Sequence, residues 1–540
     1  MTTDVEDFPK GPRTLAPQGE SKWDALVVGS GIAGLSCSKR LALAGQKVAL
    51  VERNSNLGGH LLPFWRGGVP FEIGVHYLAD LGENSLFFGA LKKLKCTLQP
   101  TYLDSKFEEL RFENGSVPFC YLSDSKLFFQ SLRTQFPEQS SSLHKFESQL
   151  GDLWEFGQSL EFPFQKRKIV KQLTQFPAFF SLIHLFTKSA KAYLDHLGFT
   201  EELQEILLIH HVLIGVDPKK VSAAVHFLVL RYYLQNPGFI HGGGLAIRDA
   251  LLSDEVQYFN GSGCQIEKRS SQMYPFRVRL DTGKSLLTKK VIWTPDPRIA
   301  QKQCSFSFPF LTHLKLNLSQ NPHALVVGFF GTKIPLEDLG FRNANYWIVG
   351  QHLASQNYWV LDPIDLALKN TLYLSMGSLR DPTCLRLENK LQAKGLFQVM
   401  FVVPPKVEIW GGNSPELARV PSSKGGFGEH YRRTKTQILE ILIRRLCQQF
   451  PALHSDVLVW KELGTPLTHQ KYLHSVSLGG YGFAPTVSDC LFTRPSFKSG
   501  VENFYFAGAH NAPSHGILTS LLNGVGVAET ILSQSAGFDG

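Results

Sequence analysis

The fold of this chain is decided by the stretch Asp24-Ala25-Leu26-Val27-Val28-Gly29-Ser30-Gly31-Ile32-Ala33-Gly34-Leu35. Residues 25–28 form a short apolar run that suits a strand buried on both faces. Gly29, Gly31 and Gly34 then give the pattern G-x-G-x-x-G at the turn into a helix. The first glycine permits the tight turn, the second lets the backbone approach a pyrophosphate, and the third lets the helix pack close to the strand. Because a helix N-terminus also offers free N–H groups to phosphates, the stretch predicts a dinucleotide-binding unit.

The residues that follow support this prediction. A helix is expected from about Ile32 to Gly45, and a second strand over residues 47–51 ends at Glu52, eighteen residues after Gly34. An acid at this distance is placed to bind a ribose hydroxyl and disfavours a 2′-phosphate. Glycine-rich turns are common, so the alternative is an ordinary turn followed by a surface Glu; the whole combination favours nucleotide binding.

Composition sets further bounds on the protein. A chain of 540 residues should form two or more domains. Its eight cysteines are scattered without C-x-x-C or zinc-ligand spacing, so we expect free thiols, a reducing compartment and no metal site. The formal charge of +9 comes without a long basic run, which gives no indication of nucleic-acid binding but suits an anionic membrane surface.

Targeting signals are not evident in the sequence. Residues 1–22 are polar, contain acids and proline, and lack an apolar core, so we expect a disordered lead-in rather than a signal or transit peptide. No stretch has the roughly 18 uncharged apolar residues that a membrane-spanning helix needs. We therefore expect a cytoplasmic protein, with peripheral membrane attachment as the open alternative.

The nucleotide-binding elements do not lie in one continuous segment. We expect helices over residues 203–216, 221–234, 428–450 and 516–532, and a β-rich block over 305–405 that includes residues 311–316 and 324–330. A second glycine-led helix begins at Gly242, and a late strand covers residues 504–508. The expected organisation is a lead-in (1–22), three parts of a nucleotide-binding domain (23–95, 236–300 and 461–540), and two parts of a substrate domain, one helical (96–235) and one with a sheet and helices (301–460).

A second motif identifies the cofactor. Residues 52–60, ERNSNLGGH, resemble the segment that follows the second strand in amine-oxidase-like two-domain flavoproteins. In that family the glycine pair lets the backbone run along the pyrophosphate and ribityl chain of FAD, and dehydrogenases that bind only NAD lack this element. The resemblance therefore implies FAD, and an α/β fold in which a Rossmann-like FAD-binding domain with a parallel sheet is interleaved with a substrate domain of mixed β-sheet plus helices.

Within that family the sequence most resembles the branch of phytoene desaturases, carotenoid isomerases and retinol saturases. The segments 71–78 (FEIGVHYL), 374–382 (LSMGSLRDP), 464–473 (GTPLTHQKYL) and 503–508 (NFYFAG) resemble motifs of this branch. Glu72 replaces the usual Asp of the first segment. Gly508 is followed by Ala509 rather than by the Asp that many FAD enzymes carry there, which weakens an amine-oxidase or glutathione-reductase assignment.

The resemblance also implies the site residues. The residues expected to bind FAD are Gly29, Ser30, Gly31, Ile32, Ala33, Gly34, Glu52, Arg53, Gly58, Gly59, His60, Gly508, Gly516, Ile517 and Leu518. His76, Tyr77 and His510 are the candidate catalytic residues, because an imidazole or phenol beside the flavin could transfer a proton. A hydrogen-bonded structural role is the alternative for each histidine, and it is favoured for His469. The pair His210–His211 lies in an apolar run and is expected to be packed rather than metal-binding.

The expected function is that of an FAD-dependent oxidoreductase. The implied substrate is a long apolar polyene or isoprenoid, desaturated, saturated or isomerised at a C=C bond. A flavin amine oxidase and a flavin-free prenyl-protein chaperone of the GDP-dissociation-inhibitor type are the alternatives. No second nucleotide motif is visible, so the electron partner (a quinone, oxygen or a transient nicotinamide) stays open. A basic cluster beside a Phe-rich run at residues 165–186 favours peripheral contact with an anionic bilayer, and a core helix with a solvated basic end is the alternative.

Overall fold

The computed structural model describes residues 21–160, 162, 174, 179–261, 264–350, 362–386, 389–410, 428–476 and 478–536. The strands are β1 (Ser21–Val28), β2 (Val48–Glu52), β3 (Phe64–Arg66), β4 (Val69–Phe71), β5 (Pro100–Tyr102), β6 (Lys106–Phe112), β7 (Phe119–Leu122), β8 (Gly238–Ile240), β9 (Val256–Asn260), β10 (Cys264–Lys268), β11 (Phe276–Leu280), β12 (Ser285–Trp293), β13 (Ala324–Thr332), β14 (Asn345–Val349), β15 (Leu372–Ser375), β16 (Gly395–Val403), β17 (Leu458–Gly464) and β18 (Phe504–Phe506).

The α-helices are identified by their bounds. They are Ile32–Ala42, Leu86–Lys93, Ser125–Gln135, Ser140–Gln158, Phe179–Thr187, Ala190–His196, Glu201–Leu208, His211–Ile214, Ala223–Tyr233, Gly243–Leu251, Pro297–Gln303, Phe310–Leu318, Pro363–Lys369, Gly377–Arg380, Glu429–Gln449, Pro466–Leu473 and Ile517–Ala536. Short 3₁₀ turns cover Gly59–Leu61, Pro137–Gln139, Pro382–Leu385, Glu408–Trp410 and Ser455–Val457, and a π turn covers Asp489–Thr493. In the described part of the chain, no helix is both long enough and apolar enough to cross a membrane.

The first sheet is the predicted dinucleotide-binding sheet. Its strand order is β10-β11-β12-β1-β2-β9, and β18 pairs with the C-terminal end of β12. The strands β18, β12, β1, β2 and β9 run parallel, and the helix Ile32–Ala42 connects β1 to β2. Both faces are buried: Ala25 and Val27 belong to one apolar core and Leu26 and Val28 to another, since side chains alternate along a strand. The predicted βαβ unit is confirmed.

The second sheet is mixed, as expected for the substrate domain. Its order is β17-β13-β16-β15-β14-β6-β7, with β6 and β14 parallel and the other pairs antiparallel. One face packs against the helices between residues 125 and 233, and the other against the helices Pro363–Lys369 and Glu429–Gln449. Strands β6 and β7 lie within the segment expected to be helical, and β17 continues to Gly464, beyond the expected boundary at 460.

Three expectations about individual elements are wrong. Residues 311–316, expected in the β-rich block, lie in the helix Phe310–Leu318, which buries Leu316 and turns Thr312 to the Ser499 carbonyl while leaving Leu314 exposed, whereas a strand would place Leu314 and Leu316 on one face. The helix expected over 203–216 is broken between Leu208 and His211 and ends at Gly215, whose φ is +69°. The first helix ends at Ala42 rather than at Gly45.

Candidate active site

A cavity of about 690 Å³ runs from the glycine turn after β1 into the interior of the substrate domain. Its volume lies within the range of roughly 300–1,000 Å³ that small-molecule and cofactor sites occupy. At one end its walls are backbone and polar groups around Gly31 and Glu52. At the other end they are apolar side chains of the helices Ser140–Gln158, Phe179–Thr187 and Ala223–Tyr233. The cavity can therefore hold a polar and an apolar group side by side.

The glycine turn fits its proposed role residue by residue. A Cβ on Gly34 would lie 1.9 Å from the carbonyl oxygen of Gly29, so the helix and the turn touch as only glycine allows. A Cβ on Gly31 would meet no atom within 4 Å, and Gly31 lines the cavity. No side chain caps the helix that starts at Ile32. The turn thus presents helical N–H groups to an open space suited to an anion.

The Glu52 carboxylate is held in place by three donors. Its Oε2 accepts hydrogen bonds from the Ser30 amide (2.8 Å) and the Ser30 hydroxyl (2.6 Å), and its Oε1 accepts one from the Asn54 amide (2.9 Å). The Gly58 amide donates to the Ser30 hydroxyl oxygen at 3.0 Å. These bonds join the first glycine motif to the second, and they fix the carboxylate at the cavity wall.

A second helix N-terminus lines the same end of the cavity. The helix Ile517–Ala536 follows Gly516, and a Cβ on Gly516 would also meet no atom within 4 Å. This helix packs directly on Ile32–Ala42, because Gly524 leaves room for the backbone of Ala33. The site is therefore built from two helices that lie almost 500 residues apart in sequence.

Two candidate catalytic histidines border the cavity. Burial, reinforced by the charge of Arg380, lowers the pKa of His76 to about 3, and burial lowers the pKa of His510 to about 4 even though Asp296 opposes this shift. Both imidazoles are therefore neutral near pH 7. The Nδ1 atom of each ring is buried without a hydrogen-bond partner among the described atoms.

Three further histidines surround this region. Enclosure by the protein lowers the pKa of His60 to about 4, although its ring is exposed to the cavity. His515 lines the cavity and hydrogen-bonds the Phe483 carbonyl at 3.3 Å. His469 does not line the cavity, and burial lowers its pKa to about 4. The site is rich in uncharged imidazole groups.

Tyr77 faces the cavity with its ring but not with a free hydroxyl. Its hydroxyl donates to Glu108 Oε1 at 2.8 Å, and its ring stacks on Tyr233 with centroids 4.4 Å apart. Glu108 is fully buried and also pairs with His210 Nε2 at 2.9 Å. His210 and His211 are both fully buried, and no group of three or more potential ligands among the described residues could hold a metal ion.

Two buried residues beside the site, Arg380 and Glu108, were not predicted from the sequence. The buried Arg380 guanidinium donates to the backbone oxygen of His76, to Ser375 Oγ (2.5 Å) and to Asn345 Oδ1. It thereby fixes the segment that carries His76 against the substrate sheet. The only sequence signal was its place in the segment 374–382; Glu108 stands in a strand with no motif around it.

Two of the segments that resemble family motifs, 71–78 and 374–382, meet at the N-terminus of the helix Gly243–Leu251. The Gly244 amide donates to Glu72 Oε1 at 3.2 Å, and the Gly242 amide donates to Asp381 Oδ2 at 2.8 Å. Burial raises the pKa of Glu72 to about 8, and the nearby Asp381 contributes to this shift. Both acidic side chains accept hydrogen bonds from the free N–H groups of this helix N-terminus. The segments 71–78 and 374–382 are thus joined through the helix Gly243–Leu251.

The structure brings most of the predicted site residues to one cavity. Those that line it are Gly29, Ser30, Gly31, Ile32, Ala33, Glu52, Arg53, Gly59, His60, His76, Tyr77, Gly508, His510, Gly516, Ile517 and Leu518. Gly34 and Gly58 lie behind its wall, where one contacts Gly29 and the other bonds Ser30.

Two family models match the chain. Residues 27–94 match the NAD(P)-binding Rossmann-like domain, and residues 388–532 match the flavin containing amine oxidoreductase. A solved structure of a putrescine oxidase variant superposes with a TM-score of 0.62 over 96% of this chain and 100% of that chain, at 14% identity. At that identity the superposition shows the fold alone.

Relatives over nearly the full chain carry related names. All-trans-retinol 13,14-reductase of Rattus norvegicus is 25% identical and covers 85% of this chain and 77% of its own length. Chloroplastic prolycopene isomerase of Daucus carota is 23% identical, over 95% of this chain and 80% of the isomerase. A 4,4′-diapophytoene desaturase of Staphylococcus aureus is 21% identical, over 91% of this chain and 95% of the desaturase.

The residues present fit FAD. The open space at Gly31, the two glycine-led turns and the fixed Glu52 carboxylate supply what a pyrophosphate and a ribose require. The residues that would hold the dinucleotide are those of the turn 29–34, Glu52 and Gly59, together with Gly508, which lies beside Ala33, and Gly516. Fold, family models and relatives agree in supporting the FAD-dependent phytoene desaturase, carotenoid isomerase and retinol saturase family of amine-oxidase-like flavoproteins, to whose members the chain is similar.

Proposed function

We propose that this protein uses FAD to desaturate, saturate or isomerise a C=C bond of a long apolar polyene or isoprenoid, of the carotenoid or retinoid kind. The relatives named above act on retinol, prolycopene and diapophytoene by their names. The observation that carries the proposal is the apolar half of the cavity, which continues directly from the half suited to FAD.

The apolar half of the cavity selects against charged substrates. Its wall consists of aliphatic and aromatic side chains, namely Leu153, Phe156, Leu160, Phe186, Leu213, Ile214, Val225, Leu228 and Val229, with Tyr232 and Tyr233 beside them. The charged side chains that line the cavity, Glu52, Arg53 and Asp296, belong to the nucleotide half. An ammonium group in the apolar half would lose its hydration without a carboxylate in return. This arrangement favours a polyene over an amine.

The chain's own residues position the substrate and handle protons. FAD, when bound, supplies the redox chemistry. His76 and His510 are neutral at pH 7 and line the cavity, so they can hydrogen-bond the flavin or move a proton to or from a polyene. Tyr77 contributes its ring to the wall, and a proton leaving its hydroxyl must pass to Glu108.

The decisive experiment is anaerobic incubation of the purified protein with polyenes, retinoids and amines. Bleaching of the flavin absorbance by a polyene indicates desaturation. In the enzyme reduced beforehand, recovery of the flavin absorbance on addition of a polyene indicates saturation. Product analysis without a net absorbance change detects isomerisation. If only amines bleach the flavin, the protein is an amine oxidase and the proposal is wrong. A colourless protein that takes up no FAD would instead favour the chaperone alternative.

The roles of the two histidines are tested by alanine variants. We expect His76→Ala and His510→Ala to retain FAD and lose about 10²- to 10⁴-fold in turnover, the usual effect of removing a positioned acid or base. Tyr77→Phe is the matched control, since its hydroxyl already donates to Glu108, and it should lose far less. Full activity in both histidine variants would make these residues structural. Loss of FAD in both would place them in the cofactor shell.

We also propose a peripheral membrane contact through residues 165–186. Most of this segment, including its basic cluster, lies outside the described residues, so the proposal rests on the sequence. Binding to anionic liposomes should weaken with salt, because part of the attraction is screened. Phe179→Ser with Phe180→Ser should weaken it further, and equal binding by wild type and this variant would contradict the assignment.

A further inference from the structure

The helix Phe310–Leu318 exposes an apolar face. Phe310 is 74% exposed, Leu311 66%, Leu314 38% and Leu318 55%. At about 100° per residue these four positions fall within an arc of about 100° on one side of the helix. Of the exposed large apolar side chains in the described residues, four of twelve therefore lie on a single helix of nine residues. Isolated exposed apolar residues are normal, but a contiguous group marks an interaction surface.

The opposite side of the same helix is firmly attached. Leu316 is fully buried, and Thr312 Oγ1 donates to the Ser499 carbonyl at 2.8 Å. At the C-terminal end, Ser319 Oγ donates to Asp489 Oδ1 at 3.3 Å. The exposed side chains are consequently presented on a fixed support, and the apolar arc is not the result of a helix that hangs loosely from the fold.

The charges around this face are mostly basic. The sequence contains no Asp or Glu between residues 297 and 323, where it has Lys302 and Lys315, and also Arg298, whose charge is paired with Asp296. Lys315 flanks one edge of the apolar arc, about 40° from Leu311, and Asn317 flanks the other edge. The segment packed against the helix adds one exposed base, Lys498, and one exposed acid, Glu502. An apolar arc with basic neighbours complements a surface that is anionic above an apolar layer.

The helix also lies one layer from the cavity. His313 Nδ1 is 2.9 Å from the side-chain amide of Gln301, in the helix Pro297–Gln303, whose Ile299 and Gln303 line the cavity. The turn Asp489–Thr493, which also contacts the exposed helix, carries the cavity residue Cys490. A partner bound at this face would therefore contact a helix that itself packs against the cavity wall.

We propose that the helix Phe310–Leu318 docks the protein on an anionic lipid bilayer, with Phe310, Leu311, Leu314 and Leu318 inserted among the acyl chains and the neighbouring lysines at the headgroups. This inference does not depend on the substrate. It assigns a bilayer contact to a surface other than residues 165–186, and the two surfaces are separable by mutation.

The test is sedimentation of the FAD-loaded protein with vesicles of phosphatidylcholine containing phosphatidylserine. Phe310→Ser with Leu311→Ser should lower the partition coefficient about tenfold or more, because two large apolar side chains no longer leave water. Lys315→Glu should lower it about fivefold, and only on the anionic vesicles. The matched control is Val117→Ser with Met273→Ser, which alters two equally exposed apolar residues elsewhere and should leave binding unchanged.

A second measurement excludes other occupants of the face. The emission of Leu311→Trp minus that of the wild type removes the signal of the eight native tryptophans, and this difference should be that of a solvated indole in buffer and shift to the blue on anionic vesicles. A blue-shifted emission without lipid would mean that another part of the chain, or a second copy of it, already covers the face, and the proposal would be overturned. It would also be overturned if the serine pair bound vesicles like the wild type while Phe179→Ser with Phe180→Ser did not.

Discussion

At the scale of single residues, the site depends on positions where a side chain is absent as much as on those where one is present. Gly31 leaves open space at the turn, whereas Gly34 is in contact with Gly29. The Glu52 carboxylate lies at the wall because Ser30 donates to it twice. The same turn therefore contains one glycine that serves the fold and another that serves the ligand.

Gly31→Val separates these two roles. The Gly31 backbone is extended, with φ −61° and ψ 173°, and an added Cβ meets no protein atom, so the fold should tolerate the change. The valine methyls would project where the pyrophosphate must approach, and we expect the purified variant to be colourless with an unchanged melting temperature of the apoprotein. Gly89→Val, at an exposed helix position with equal space, is the control and should remain yellow. Normal flavin content in Gly31→Val would refute the assignment of the turn.

At the scale of elements, two helices from opposite ends of the chain form the cofactor end of the cavity. The helix Ile517–Ala536 lies against Ile32–Ala42, and the contact depends on Gly524. The helix Gly243–Leu251 in turn holds Glu72 and Asp381 at its N-terminus. Segments that the sequence separates by hundreds of residues are joined at helix N-termini, where free N–H groups are available.

Gly524→Ala should weaken this helix contact. The added methyl would lie 2.4 Å from the Ala33 carbonyl oxygen and 2.2 Å from Ser36 Oγ, so the helices must separate. We expect a loss of about 1–3 kcal/mol in the free energy of unfolding, as for other overpacked sites, together with weaker FAD binding. Gly151→Ala is the matched control, because its helix position is open and the change should stabilise by about 0.5–1 kcal/mol. Denaturant titration of both variants checks this, and equal stability of the two would contradict the packing argument.

At the scale of the whole molecule, the protein buries several neutral histidines. His211, His226, His323 and His469 are at most 8% exposed, and burial lowers their pKa values to about 4, 3, 3 and 4. In the unfolded chain each takes up a proton near pH 6.5, whereas in the folded protein it does not until the pH is far lower. Folding therefore opposes protonation of all four.

The free energy of unfolding should consequently fall as the pH drops below about 6.5. The stability that these groups contribute is present above pH 6.5 and is lost toward pH 4, with a slope of up to about 1.4 kcal/mol per pH unit for each histidine. Replacing His226 by Leu should reduce this slope while lowering stability overall, since the Leu207 carbonyl loses its partner. His454→Leu alters a histidine that is 58% exposed and should leave the slope unchanged. Denaturant titrations of the FAD-loaded protein between pH 5 and 7 measure the free energy of unfolding at each pH. A free energy of unfolding that does not change over this range would contradict the prediction.

The sequence by itself determined the dinucleotide-binding unit, because that feature depends on local chemistry, and the resemblance of residues 52–60 implied FAD. The positions of Gly29, Gly31, Gly34 and Glu52 are set by the steric needs of one turn and one ribose, and β1 and β2 follow from short apolar runs. The tertiary structure alone decided what the substrate half contains. Glu108 and Arg380 lie in segments with ordinary local patterns, and they meet Tyr77 and His76 only through strand pairing and side-chain burial. Residues 311–316 were expected in a β-rich block, and the contacts of the helix Phe310–Leu318 with the neighbouring segments select the helix over the strand.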